Sequence, residues 1–140
     1  MQHLRGQCHC GNITLQIALT GSPESYRPRA CDCDFCRKHG AAYLSDPEGS
    51  LTIEVADADL GRRYRQGSGA AQMLLCGQCG VLVAALYEDA EDRLGAVNVR
   101  ALRGAALGQP EPISPKTLTA DQKIARWRRL WFRNVQVGRR

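Results

Sequence analysis

Aromatic side chains are scarce in this 140-residue chain, at 6% of positions, so its core has to be built mainly from Val, Leu, Ile and Ala. A domain of this length buries only a modest core, and cross-links of another kind would add useful stability. Long hydrophobic runs are missing as well. The longest purely aliphatic stretch, Val81 to Leu86, falls far short of the roughly 20 residues a membrane-spanning helix needs. Near the N-terminus, Arg5 and Cys8 stand where an export signal would need an apolar stretch. The expected location is therefore the cytoplasm, where thiols stay reduced. Internal repeats and low-complexity tracts are also lacking. What remains, 44% hydrophobic and 24% charged residues, is ordinary for one soluble globular domain.

Acidic charge is nearly absent from the C-terminal end. Residues 116–140 carry eight basic side chains against Asp121 alone, a net of +7, whereas the first 115 residues carry 11 basic and 13 acidic ones, a net of −2. The basic character belongs to the end of the chain, and the body does not read as a nucleic-acid surface.

Against these absences stands an abundance of cysteine. Seven cysteines fall in three clusters, Cys8-His9-Cys10, Cys31-Asp32-Cys33-Asp34-Phe35-Cys36 and Cys76-Gly77-Gln78-Cys79. Reduced thiols at such spacings grip a metal ion well, and zinc takes four ligands in a tetrahedron. Seven divides most naturally into four, which close a site, and three, which leave a coordination place for water or substrate. Cys8 with Cys10 and Cys76 with Cys79 form two claws that together would close one structural site. Gly11 and Gly80 follow the claws directly, where a tight turn needs positive φ. Cys31, Cys33 and Cys36 supply three thiolates from six residues, the arrangement of an open catalytic zinc. Such a centre holds a thiol as thiolate or polarises a carbonyl, and either act suits addition of a thiol to an aldehyde. Beside it, Arg37 and Lys38 offer charge that would attract a carboxylate-bearing substrate. The alternatives are a purely structural second site, completed by His39 or by a sulfur of another cluster, and a solvated basic turn at Arg37 and Lys38.

The rest of the chain reads as mainly β. Residues 12–20 alternate Ile13, Leu15, Ile17 and Leu19 with polar or small neighbours, and 51–55 alternate again. Short strands are also expected at 26–30, 63–65, 72–75, 81–87 and 94–102, separated by turn signals. Residues 108–118 contain Pro110, Pro112 and Pro115 and read as an extended connector without regular structure. After it, Thr119-Ala-Asp-Gln122 has the form of a capping box. Ile124, Trp127, Leu130 and Trp131 then recur at helical spacing, which predicts one amphipathic helix over roughly 120–132 with a buried face. The expected organisation is a zinc-binding body over 1–107, a connector over 108–118, and a basic helix and tail over 119–140 docked on the same domain.

Three stretches, Gly6-x-Cys8-x-Cys10-Gly11-x-Ile13, Cys31-x-Cys33-x-x-Cys36-Arg37-x-x-Gly40-Ala41 and Cys76-x-x-Cys79-Gly80, resemble the glutathione-dependent formaldehyde-activating enzyme family, which includes centromere protein V. The resemblance implies a β-tent fold related to zinc ribbons, with antiparallel sheets stapled by zinc. It implies two zinc ions per chain, a structural one on Cys8, Cys10, Cys76 and Cys79 and a catalytic one on Cys31, Cys33 and Cys36. The implied activity is condensation of formaldehyde with glutathione to S-(hydroxymethyl)glutathione, a carbon–sulfur lyase reaction run backwards. Two other readings stay open at this point: a non-catalytic interaction module on a zinc scaffold, and a zinc or thiol-stress sensor.

Overall fold

The computed structural model describes residues 1–139; Arg140, counted above with the basic tail, lies outside them. In chain order the elements are β1 (Gln2–Gln7), β2 (Ile13–Leu19), β3 (Arg29–Cys31), α1 (Asp34–His39), β4 (Tyr43–Leu44), β5 (Ser50–Val55) and β6 (Gly61–Tyr64). They continue with β7 (Gln72–Cys76), β8 (Leu82–Glu88), β9 (Arg93–Asn98), β10 (Glu111–Ile113), α2 (Ala120–Leu130) and β11 (Asn134–Arg139). One sheet has the order β1-β2-β5-β11 and the other β10-β3-β4-β9-β8-β7-β6. Their strands pair antiparallel except β11 on β5 and β10 on β3. The protein is thus mainly β, two sheets with one long helix near the C-terminus, as the sequence predicts.

Alternation in β2 and β5 explains how the sheets meet. Side chains two apart on a strand share a face. Ile13, Leu15, Ile17 and Leu19 on β2, with Leu51 and Ile53 on β5, are each at most 1% exposed. They pack against Leu74, Val83, Leu86 and Val97 of the second sheet and against Phe132. Each such fully buried Leu or Ile contributes about 1.5–3 kcal/mol through removal of apolar surface from water. A second, smaller cluster gathers Cys36, Tyr43, Met73, Leu82, Leu94 and Trp131 on the other side of β8 and β9. That cluster is the floor of the site described below.

Three expectations need correction. Residues 108–118 are not devoid of regular structure: β10 pairs with β3, with Pro112 opposite Ala30. Proline survives there because β10 is an edge strand, where a missing N–H leaves no central ladder bond unmade. The segment after α2 is not a tail but β11, in register with β5 from Asn134 opposite Ser50 to Arg139 opposite Val55. The second half of the middle cysteine cluster folds as α1, with Cys33 as N-cap and Gly40 closing the helix in the left-handed region. Finally, α2 ends at Leu130, and none of its residues is fully buried. The reason is that its inner face borders a cavity, with Trp127 and Leu130 only partly covered against the smaller core cluster. The capping box is formed in full, with the Thr119 side chain accepting from the Gln122 N–H and the Gln122 side chain accepting from the Thr119 N–H.

Candidate metal centres and active site

The first and third cysteine clusters come together at one end of the sheets. The sulfurs of Cys8, Cys10, Cys76 and Cys79 all lie within 4.8 Å of one another. The two claws are built alike. In each, the first cysteine's N–H donates to a carbonyl beyond the turn (Cys8 to Ile13, Cys76 to Val81), and the glycine's N–H donates back to the first cysteine's carbonyl. Gly11 and Gly80 make that return with φ of 85° and 80°, a conformation that costs a side-chain-bearing residue energy. Backbone N–H groups of Ile13 and Cys79 point at the sulfurs of Cys8 and Cys76, at 3.3 and 3.4 Å.

The donor set fits zinc. Zn–S bonds of about 2.3 Å in a tetrahedron place neighbouring sulfurs about 3.8 Å apart. Cys8 and Cys10 stand at 3.8 Å and Cys10 and Cys76 at 3.6 Å.

The middle cluster forms a second group of its own. Cys31 at the end of β3, Cys33 at the N-cap of α1 and Cys36 within α1 bring three sulfurs within the same 4.8 Å limit. The Cys36 N–H donates to Cys33 Sγ at 3.4 Å. A hydrogen bond from Cys36 holds the Cys31 thiol down to about 6 against the opposing effect of burial. That same contact, with burial, pushes Cys36 up, so the thiolate form is favoured at Cys31 over Cys36. Tyr43, on β4, is buried, and its hydroxyl lies 3.2 Å from Cys36 Sγ. Burial first, and then the electrostatic influence of the neighbouring cysteine sulfurs, raises its pKa, so the phenol stays protonated. No fourth His, Cys, Asp or Glu joins this group among the described residues.

All three of these sulfurs line a cavity of about 390 Å³, and none of the other four cysteines does. Its walls bring four cations together: Arg29 from β3, Lys116 from the turn after β10, and Lys123 and Arg126 from α2. Burial, then the proximity of Arg126, lowers the Arg29 guanidinium to about 10. Lys116 faces Asp32 at 3.7 Å, and the Ser114 hydroxyl donates to the same carboxylate oxygen at 2.6 Å. Apolar wall comes from Met73, Ala85, Trp127 and Trp131.

Arg37 is not where sequence adjacency suggests. It is exposed on α1 and does not line the cavity, while Lys38 pairs with Asp34 on the same helix. One and two residues past Cys36 on a helix, both point away from the face that carries its sulfur. His9 is exposed, and His39 stacks near Phe35 without joining either sulfur group. Tyr43, Arg29, Lys116, Lys123 and Arg126 were not singled out from the sequence. The one available signal was the mixed face of α2, where Lys123, Trp127 and Trp131 recur every fourth residue.

Fold and sites together define a mainly β protein with a four-cysteine group at one end of its sheets that could hold a metal ion and a three-cysteine group open to a cavity. The family profile for glutathione-dependent formaldehyde-activating enzyme matches residues 3–119, and the chain belongs to that family. Among solved structures, it is similar to the crystal structure of a Rhodobacter sphaeroides protein, a structural-genomics target. The two are 30% identical with a TM-score of 0.54, over 72% of this chain and 89% of that one. No match was found among the curated proteins. No helix of the described residues is long and apolar enough to cross a membrane.

Proposed function

We propose that the chain condenses a thiol of the glutathione type with formaldehyde or a related small aldehyde, using a zinc ion held by Cys31, Cys33 and Cys36. A second zinc on Cys8, Cys10, Cys76 and Cys79 serves as a staple between β1–β2 and β7–β8. One observation carries this reading: of the seven cysteines, only the group of three faces the cavity. When bound there, zinc supplies a Lewis acid that lowers a thiol pKa and polarises a carbonyl. In the reaction a sulfur–carbon bond forms, the carbonyl π pair becomes an O–H bond, and the thiol proton ends on that oxygen; nothing is oxidised.

The residues of the chain divide the remaining work. Tyr43 donates toward Cys36 and fixes that sulfur's orientation. Arg29 and Lys116 offer cations to the carboxylates of a glutathione-like thiol. Met73, Ala85 and Trp131 form an apolar wall that excludes water around the sulfurs. The placement of the basic C-terminal residues supports the same reading. Lys116, Lys123 and Arg126 face the cavity and Arg128 is paired with Asp89 and Asp92, which leaves less charge for a nucleic-acid surface.

Exchange NMR with carbon-13 formaldehyde and glutathione tests the activity, because the uncatalysed addition is itself fast and has to be subtracted. Zinc-loaded protein at low concentration should broaden the exchanging resonances beyond that background, and Cys33→Ser should not. Equal exchange with and without wild-type protein would overturn the proposal.

A further inference from the structure

The family match ends at residue 119, yet the cavity does not. Lys123, Arg126, Trp127 and Trp131, all beyond that limit, form one wall of it. The helix that carries the first three, with Trp131 directly after its last residue, is firmly placed. It is capped at Thr119, Arg128 on its outer face is ion-paired with Asp89 and Asp92, and Trp127 packs near Tyr87 with ring centres 5.7 Å apart. Its inner face is only partly spent on core packing: Trp127 packs against the smaller core cluster yet stays partly accessible, lines the cavity and stacks on Trp131 at 4.6 Å with ring planes 19° apart. Lys123 and Arg126 make no ion pair among the described residues. The Lys123 ammonium reaches across the cavity toward the turn at Gln66–Gly69, where a Cβ built on Gly67 would lie 3.8 Å from it.

Two unpaired cations beside a stacked pair of indoles form a subsite with a chemistry of its own. Apolar planar groups pack on aromatic faces, and anions pair with Arg and Lys in partly desolvated sites. A one-carbon hydroxymethyl group uses none of this. Glutathione brings two carboxylates, for which Arg29 and Lys116 are already present on the matched part of the chain.

We infer that α2 adds a specificity subsite for the aldehyde-derived half of the adduct, and that this half is an apolar, planar group bearing a carboxylate or similar anion. The subsite takes from the proposed function only that a thiol adduct occupies the cavity. Lys123 and Arg126 receive the anionic end, Trp127 and Trp131 receive the flat apolar body, and the sulfur lies toward Cys31, Cys33 and Cys36.

Stable thioether analogues test it without turnover. Binding to the zinc-loaded chain is followed by tryptophan fluorescence for S-methylglutathione, S-benzylglutathione and S-(carboxybenzyl)glutathione. Affinity should rise in that order, the carboxylate adding roughly tenfold or more, the worth of one charge-assisted pair. Lys123→Gln with Arg126→Gln should weaken the carboxybenzyl ligand at least roughly tenfold more than the S-methyl one, and Trp127→Ala should weaken both benzyl ligands more than the S-methyl one. Equal affinities across the three ligands, or equal losses in the double variant, would overturn the inference. If the affinity order holds while formaldehyde exchange shows no catalysis, the proposed reaction fails and the subsite stands.

Discussion

Asp46 offers a quantitative check on how the site is held. It follows β4, the strand that carries Tyr43, and it is only 6% exposed. Its carboxylate accepts hydrogen bonds from the Thr20 N–H at 2.9 Å, the Thr20 hydroxyl at 2.7 Å, the Tyr26 hydroxyl at 2.7 Å and the Glu48 N–H at 2.9 Å. Burial alone would raise its pKa, but these donors, Tyr26 foremost, outweigh burial and lower it from 3.8 to about 2. That lowering corresponds to about 2.5 kcal/mol in favour of the ionised form. Because the folded pKa is the lower one, the contribution is complete above the unfolded value and disappears as pH falls through about 2. Asp46→Asn keeps the shape, removes the charge and turns an NH2 group among donors. It should therefore cost at least about 2.5 kcal/mol at pH 7. Urea denaturation of zinc-loaded wild type and variant measures this gap, which should narrow below pH 4. Acid also protonates the cysteines, but in both proteins alike, so the difference isolates Asp46. A gap under about 0.5 kcal/mol at pH 7, or one that is constant with pH, would refute the reasoning.

Three further outcomes are expected. Native protein should carry two zinc ions by elemental analysis. Cys33→Ser should lose one and remain folded, whereas Cys79→Ser should lose the other together with much of the thermal stability, since metal binding that joins two distant turns of the chain is coupled to folding; the reverse pattern would contradict the assignment. Gly6→Ala should destabilise by about 1–3 kcal/mol in denaturant titration, because an added Cβ would sit 2.5 Å from the Ala101 carbonyl oxygen, and the next nearest atoms are also backbone of Ala101 and Leu102. Thr119→Ala removes one half of the capping box and should cost about 1 kcal/mol, with a change in Trp127 and Trp131 fluorescence as α2 frays; an unchanged spectrum would argue against α2 as a fixed wall.

Which parts of this molecule were legible in its sequence follows from the range of the forces involved. The cysteine claws, the glycines after them, the alternation of β2 and β5 and the Thr119–Gln122 capping box are all local, and each is visible within a few residues. The segment Asn134–Arg139 was hidden because only Val135 and Val137 alternate and its partner β5 lies some eighty positions earlier. Pro112 disguised β10, since an edge position is a property of the sheet and not of the tripeptide. Arg37 drew attention by standing next to Cys36, yet the helix that makes Cys36 a cavity residue turns Arg37 outward. In its place the fold brings Arg29, Lys116, Lys123 and Arg126 from three separate segments. Tyr43 reaches Cys36 only because β4 follows α1 through the turn at Gly40.

Substitution of cobalt(II) for zinc tests the central claim most directly, because visible absorption reports the coordination of each tetrahedral cobalt–thiolate centre. Two cobalt ions should bind, and adding glutathione should change the spectrum of one of them only, a response lost in Cys33→Ser and kept in Lys38→Gln. A spectrum indifferent to thiol, with both centres filled, would mean that the group formed by Cys31, Cys33 and Cys36 is closed and holds no place for a substrate.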